Sequence, residues 1–130
     1  MNILIVGYTG FIGKNLIDDY LKIKNVNLFL SSRKKIDESH NNKRIKYISL
    51  NTQDLKFFLQ NRKNNIDVII FCASVVDSKK NTYKDYYDGN VKFLKKFLKL
   101  MNKNFLKNFI YLSTINIYGK KINYFSEEKI

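Results

Sequence analysis

The start of the chain restricts its fold more than any other segment. Ile3-Leu4-Ile5-Val6 is a short, unbroken apolar run that stops at Gly7. Gly7-Tyr8-Thr9-Gly10-Phe11-Ile12-Gly13 then leads into Phe11 to Ile23, where Ile12, Leu16, Tyr20 and Ile23 recur at steps of three or four. The first pattern is that of a buried strand and the second that of an amphipathic helix. Each glycine between them has a physical task. Gly7 lets the chain turn sharply after the strand, Gly10 lets a phosphate approach the backbone, and Gly13 lets the helix pack close to the sheet. Unpaired amides at a helix start favour an anion. In this setting the glycines predict a dinucleotide phosphate site. No Gly-Lys-Ser/Thr follows, which excludes a Walker-type nucleotide loop.

Apolar runs and amphipathic segments keep alternating. The pattern predicts strands over Val26–Leu30, Arg44–Ser49, Asp67–Ala73 and Phe109–Ser113, and helices over Thr52–Arg62 and Tyr83–Asn102. Asn25 is a helix stop, because Asn tolerates the left-handed turn. Ser31 to Asn42 is polar and reads as a loop. In the long helix, Val91, Leu94, Leu98 and Met101 form one apolar stripe, which Phe93, Phe97 and Leu100 widen. Continuous apolar strands alternating with helices imply an α/β fold with a parallel sheet covered on both faces. Right-handed crossovers reduce the topology to a doubly wound sheet of five strands in order 3-2-1-4-5.

Composition closes off other classes. The chain has 130 residues, 45% of them hydrophobic, enough for one domain with a core. Its single Cys closes no disulfide. The longest apolar stretch, Val68 to Val76, is far short of the about 20 residues a membrane span needs. No secretory signal is visible, so a cytoplasmic location is expected. The net charge of +13 suggests a polyanion or membrane-surface partner at first sight. However, 21 of the 24 basic residues are Lys, scattered along the chain. Lys, Asn and Ile are abundant together, as an AT-rich genome writes them. No specific nucleic-acid partner and no membrane partner is therefore expected.

The glycine spacing, with Phe-Ile between the last two, resembles the extended short-chain dehydrogenase/reductase family. More narrowly it resembles the NAD-dependent epimerase/dehydratase group that acts on nucleotide sugars. Three further motifs carry the resemblance in order: Asp67-Val-Ile-Ile-Phe-Cys-Ala73, Tyr86-Tyr-Asp-Gly-Asn-Val91, and Asn108-Phe-Ile-Tyr-Leu-Ser-Thr-Ile-Asn-Ile-Tyr-Gly119. The resemblance implies that residues 1–130 form the Rossmann, NAD(P)-binding part of a longer enzyme, C-terminally incomplete and without a substrate domain. It implies cofactor contacts from Gly7, Thr9, Gly10, Phe11, Ile12 and Gly13 in the first turn. Asn51, or else Asp54, is expected near adenine. Cys72, Ala73 and Ser74 should line the pyrophosphate and nicotinamide ribose. Asn90 should hydrogen-bond near the cofactor or shape the fourth helix, and Ser113 ends the fifth strand. Family members that use NAD place an acid at the end of strand two, to hold the ribose hydroxyls. Here that position is Ser31, followed by Ser32 and Arg33. Hydroxyls and a guanidinium suit a 2′-phosphate. NADP is therefore expected over NAD.

The family's catalytic set is a Ser or Thr hydroxyl, a Tyr and a Lys. Thr114 matches the hydroxyl position. The Tyr-x-x-x-Lys pair follows the Tyr-Gly stretch, here Tyr118-Gly119, at a distance that falls past Ile130. Tyr20 and Lys24 have the right spacing but lie before strand two, a coincidence. Dehydratases of this family carry Thr-Asp-Glu where this chain has Thr114-Ile115-Asn116, so the resemblance favours a 4-epimerase or 4-keto reductase. The chain alone is expected to be inactive, with a homodimer possible only at full length. The alternative is a non-catalytic dinucleotide-binding module, a sensor or pseudo-enzyme.

Overall fold

A computed structural model describes residues 1–33, 42–50, 52–61, 65–76, 80–101 and 108–113. In chain order the elements are β1 (Asn2–Val6), α1 (Phe11–Lys22), β2 (Asn27–Ser32), β3 (Ile45–Ser49), α2 (Thr52–Gln60) and β4 (Val68–Phe71). Then come α3 (Tyr83–Tyr86), a π-helical segment (Tyr87–Lys92), α4 (Phe93–Leu100) and β5 (Asn108–Tyr111). All strand pairs are parallel, in order β3-β2-β1-β4-β5. That is the doubly wound order expected from the alternation of elements.

The central strand shows why Ile3 to Val6 are all apolar. Side chains alternate across a strand. Ile3 and Ile5 join Ile17 of α1, Leu28, Leu30 and Ile70 in one layer. Leu4 and Val6 join Phe29, Leu55 of α2, Ile69, Phe71 and Phe97 of α4 in the other. With a helical layer on each face, neither side of β1 can be polar. Phe71 is the centre of the second layer. Its ring lies 5.5 Å from Phe93, 5.1 Å from Phe97, 6.2 Å from Phe109 and 6.0 Å from Tyr111 between centroids.

Most element boundaries move by a residue or two from those expected, and two differences have a physical cause. β2 runs on through Ser31 and Ser32, where a loop is expected. Ser31 pairs with Val6 on one side and Ile48 on the other. Its buried hydroxyl donates to the Ile48 carbonyl at 2.9 Å, so a polar residue fits inside the sheet. The long helix is also not uniform. Thr82 and Asp85 form a capping box at its start. The π-helical segment then shifts its phase. Phe97 is consequently the buried residue of α4, while Val91 and Leu98 of the expected stripe are exposed.

The end of α1 is fixed from outside. Asn25 is left-handed, φ 63°, as its stop role requires. The Arg44 guanidinium, reaching over from the start of β3, donates to the Leu21 carbonyl at 2.6 Å and the Ile23 carbonyl at 2.9 Å. These are helix-end carbonyls that intrahelical bonding leaves open.

Replacing Phe71 by Ala removes the ring that four others share, and should cost about 3–5 kcal/mol. Urea unfolding of the two proteins checks this. A loss below 1 kcal/mol would mean that the second layer does not depend on Phe71.

Candidate functional site

β1, β2 and β4 end together at the carboxyl edge of the sheet, and there a groove of about 510 Å³ opens. Its floor is the turn from Gly7 to Gly13, including Thr9, Gly10, Phe11 and Ile12. Ser32 and Arg33 form one wall, and Cys72, Ala73 and Ser74 the other. These are the residues on which the sequence reading placed the phosphate turn and its neighbours.

Gly7 and Gly13 are required by packing. Gly7 has φ +92°, and a Cβ there would lie 2.6 Å from the Ala73 amide nitrogen. A Cβ on Gly13 would lie 2.6 Å from both the Gly7 carbonyl oxygen and the Tyr8 α-carbon. Gly10 is different. Its φ of −77° suits any residue, and a Cβ would meet only the Gly7 carbonyl oxygen, at 3.4 Å. Neither backbone strain nor the protein's own packing explains glycine at this position. Gly10 is also the N-cap of α1, with no side-chain cap and no acid in the first turn. The first amides of a 12-residue helix therefore open into the groove without an internal acceptor from that cap.

The turn is pinned on both sides. The Gly7 amide donates to the Ser31 carbonyl at 2.7 Å, and the Cys72 amide donates to the Val6 carbonyl at 2.8 Å. The hydroxyls of Thr9 and Ser32 lie 2.9 Å apart, joining turn to wall. No Asp or Glu is among the described residues lining the groove, and Arg33 supplies its permanent charge. Phe11 and Val76 present exposed apolar surface at its rim.

Three expected members sit elsewhere. Ser31 does not line the groove, because its side chain points into the sheet and its hydroxyl is held by Ile48. A strand turns consecutive side chains to opposite faces, so Ser32 takes the groove position instead. Asn90 does not line the groove either. Its Oδ1 accepts from the Val75 amide at 2.6 Å and its Nδ2 donates to the Val75 carbonyl at 3.0 Å. It thereby clamps the loop that carries Cys72, Ala73 and Ser74. Ser113 is exposed just beyond β5 and is not a lining residue. Asn51 and Thr114 lie outside the described residues. Leu50 and Val76 line the groove without having been expected there. Both follow strand ends at the carboxyl edge, where parallel sheets place ligands, and that rule could have found them.

Cys72 is a packing residue of the wall. Burial in apolar surroundings pushes its thiol up to about 11. The thiolate is the reactive form, so Cys72 should alkylate slowly at pH 7–8 and faster as pH rises toward that value. Iodoacetamide labelling followed by mass across pH 7 to 10 measures this. Rapid labelling at pH 7 would contradict it.

The profile of the NAD dependent epimerase/dehydratase family matches residues 3–130. The chain belongs to that family. Over 143 aligned residues it is 28% identical to a Bacillus subtilis (strain 168) protein, the uncharacterized UDP-glucose epimerase YtcB, covering 98% of this chain and 44% of the relative. Among solved structures it is similar to UDP-glucuronic acid 4-epimerase from Bacillus cereus in complex with NAD. Identity is 26% and the TM-score 0.80, with 98% of this chain and 44% of that one covered. The same enzyme in complex with UDP-glucuronic acid and NAD gives 25% identity and a TM-score of 0.82, over 98% and 45% of the two chains. The dTDP-glucose 4,6-dehydratase of Bacillus anthracis str. Ames shares the fold, with 21% identity and a TM-score of 0.75, over 98% and 42%. The chain thus spans less than half the length of these relatives. Among the described residues, no helix is long and apolar enough to cross a membrane.

Proposed function

We propose that residues 1–130 are the NAD(P)-binding domain of a nucleotide-sugar 4-epimerase or 4-keto reductase. The observation that carries this reading is Gly10, a glycine that neither strain nor packing demands, set at the uncapped start of α1. The groove fits a dinucleotide. The helix amides suit the pyrophosphate, and the exposed face of Phe11 and the Val76 side chain suit a flat ring. The similar Bacillus cereus structures, solved with NAD and one with UDP-glucuronic acid as well, support both the cofactor class and a nucleotide-sugar substrate.

Within the site, the backbone at Gly10 holds the cofactor phosphates, and Ser32 and Arg33 address the adenosine ribose. The Cys72–Ser74 wall excludes water from the nicotinamide end. The nicotinamide, when bound, supplies hydride transfer at a sugar carbon. By resemblance Thr114 orients the substrate hydroxyl. The departure from Thr-Asp-Glu at positions 114–116 argues for epimerisation or reduction over elimination.

Two titrations test the cofactor. Gly10→Ser supplies an N-cap oxygen that competes for the helix amides. It should leave the fold intact and weaken both NAD and NADP. Unchanged affinity would remove the main support for the site. For specificity, NADP should bind more tightly than NAD, because the wall carries the Ser32 hydroxyl and the Arg33 guanidinium where an acid would repel the 2′-phosphate. Arg33→Ala should then weaken NADP by roughly tenfold and leave NAD nearly unchanged. Tighter binding of NAD would overturn the NADP assignment.

A further inference from the structure

Gly89 is buried inside the π-helical segment, and its backbone is pressed against the loop after β4. A Cβ at this position would collide with Cγ2 of Val75 and lie 3.3 Å from Val75 Cβ. The next atom it would meet is Nη1 of Arg33, at 3.6 Å. Three elements therefore converge on one bare patch of helix: the end of β2 through Arg33, the β4 loop through Val75, and the helix itself. The wider π turn accompanies this contact, with Gly89 packed against the Val75 side chain while Asn90 clamps the Val75 backbone.

We propose that Gly89 is a positioning residue for cofactor recognition, its missing side chain seating Val75 and giving the Arg33 guanidinium its place beside the groove. The inference rests on the dinucleotide reading above. Gly89 acts through Arg33, which lines the groove while Gly89 does not. Asn90 fixes the Val75 backbone, so a methyl group at position 89 must displace the Val75 side chain within the patch that the Arg33 guanidinium also borders, itself standing 3.6 Å from Nη1. The helix amides at Gly10 belong to the floor of the groove and are not disturbed. The loss therefore falls on the part of the ligand that Arg33 reads.

The test uses the intact chain with Gly89→Ala, Gly89→Ala plus Val75→Ala, Arg33→Ala, and Gly89→Ala plus Arg33→Ala. Without ligand, Gly89→Ala should move the Arg33 Nε–H NMR signal, and adding Val75→Ala should return it toward its original position. With ligand, Gly89→Ala should weaken NADP by roughly tenfold and NAD by less than about twofold, with no further loss when Arg33 is already Ala. An unmoved Arg33 signal, equal losses for the two dinucleotides, or additive effects of the two substitutions would each show that Gly89 only packs. If the unmodified chain binds neither dinucleotide the cofactor reading fails, if it prefers NAD the NADP assignment fails, and in both cases the Arg33 signal still decides the role of Gly89.

Discussion

Gly7 lays its bare α-carbon against the backbone of Ala73, and the carboxyl edge of the sheet is organised around that approach. The turn it allows brings Gly13 down onto Tyr8, so α1 starts directly above the strand it left. β4 is held at the same level by the bond from Cys72 to Val6, and β2 by the bond from Gly7 to Ser31. Three strands therefore end level with the start of one helix. The groove is the space left where they stop. Any side chain at Gly7 would force β1 and β4 apart, and the walls would separate with them.

The two faces of the sheet are built differently. The α1 side is aliphatic, around Ile5, Ile17 and Leu30, with the Tyr8–Tyr47 ring pair at 5.7 Å beside it. The α2–α4 side is aromatic around Phe71. Rings cover more area per residue than aliphatic side chains, and tilted pairs add specific geometry. A short β4 of four residues can anchor a helix and a neighbouring strand because one of those residues is Phe71.

Repeating patterns made the fold legible in the sequence. The unbroken apolar run of β1 and the steps of three or four in α1 need only the local chain, and the strand order then follows from handedness. The glycine turn was legible for the same reason. What escaped depended on contacts distant in the chain. Ser31 and Ser32 are chemically identical neighbours, and only the register of β2 against β3 decides which one faces the groove. The π segment leaves no signature in the spacing of its apolar residues, and the loop docked against it comes from elsewhere in the chain. Hence the outward rotation of Val91 and the clamp from Asn90 to Val75 could not be read from the helix alone.

The two described arginines show where a planar, many-donor cation is used. Arg44 forks across two carbonyls at the end of α1, and Arg33 stands between the groove and Gly89. Lys, a single rotatable point charge, reproduces neither geometry. In a chain that writes 21 of its 24 cations as Lys, an Arg therefore carries information in its rarity. The compositional bias works as a filter. It mutes the overall charge as a guide to function and sharpens the few places where guanidinium shape matters. A chain of this composition is best searched for sites by its exceptions.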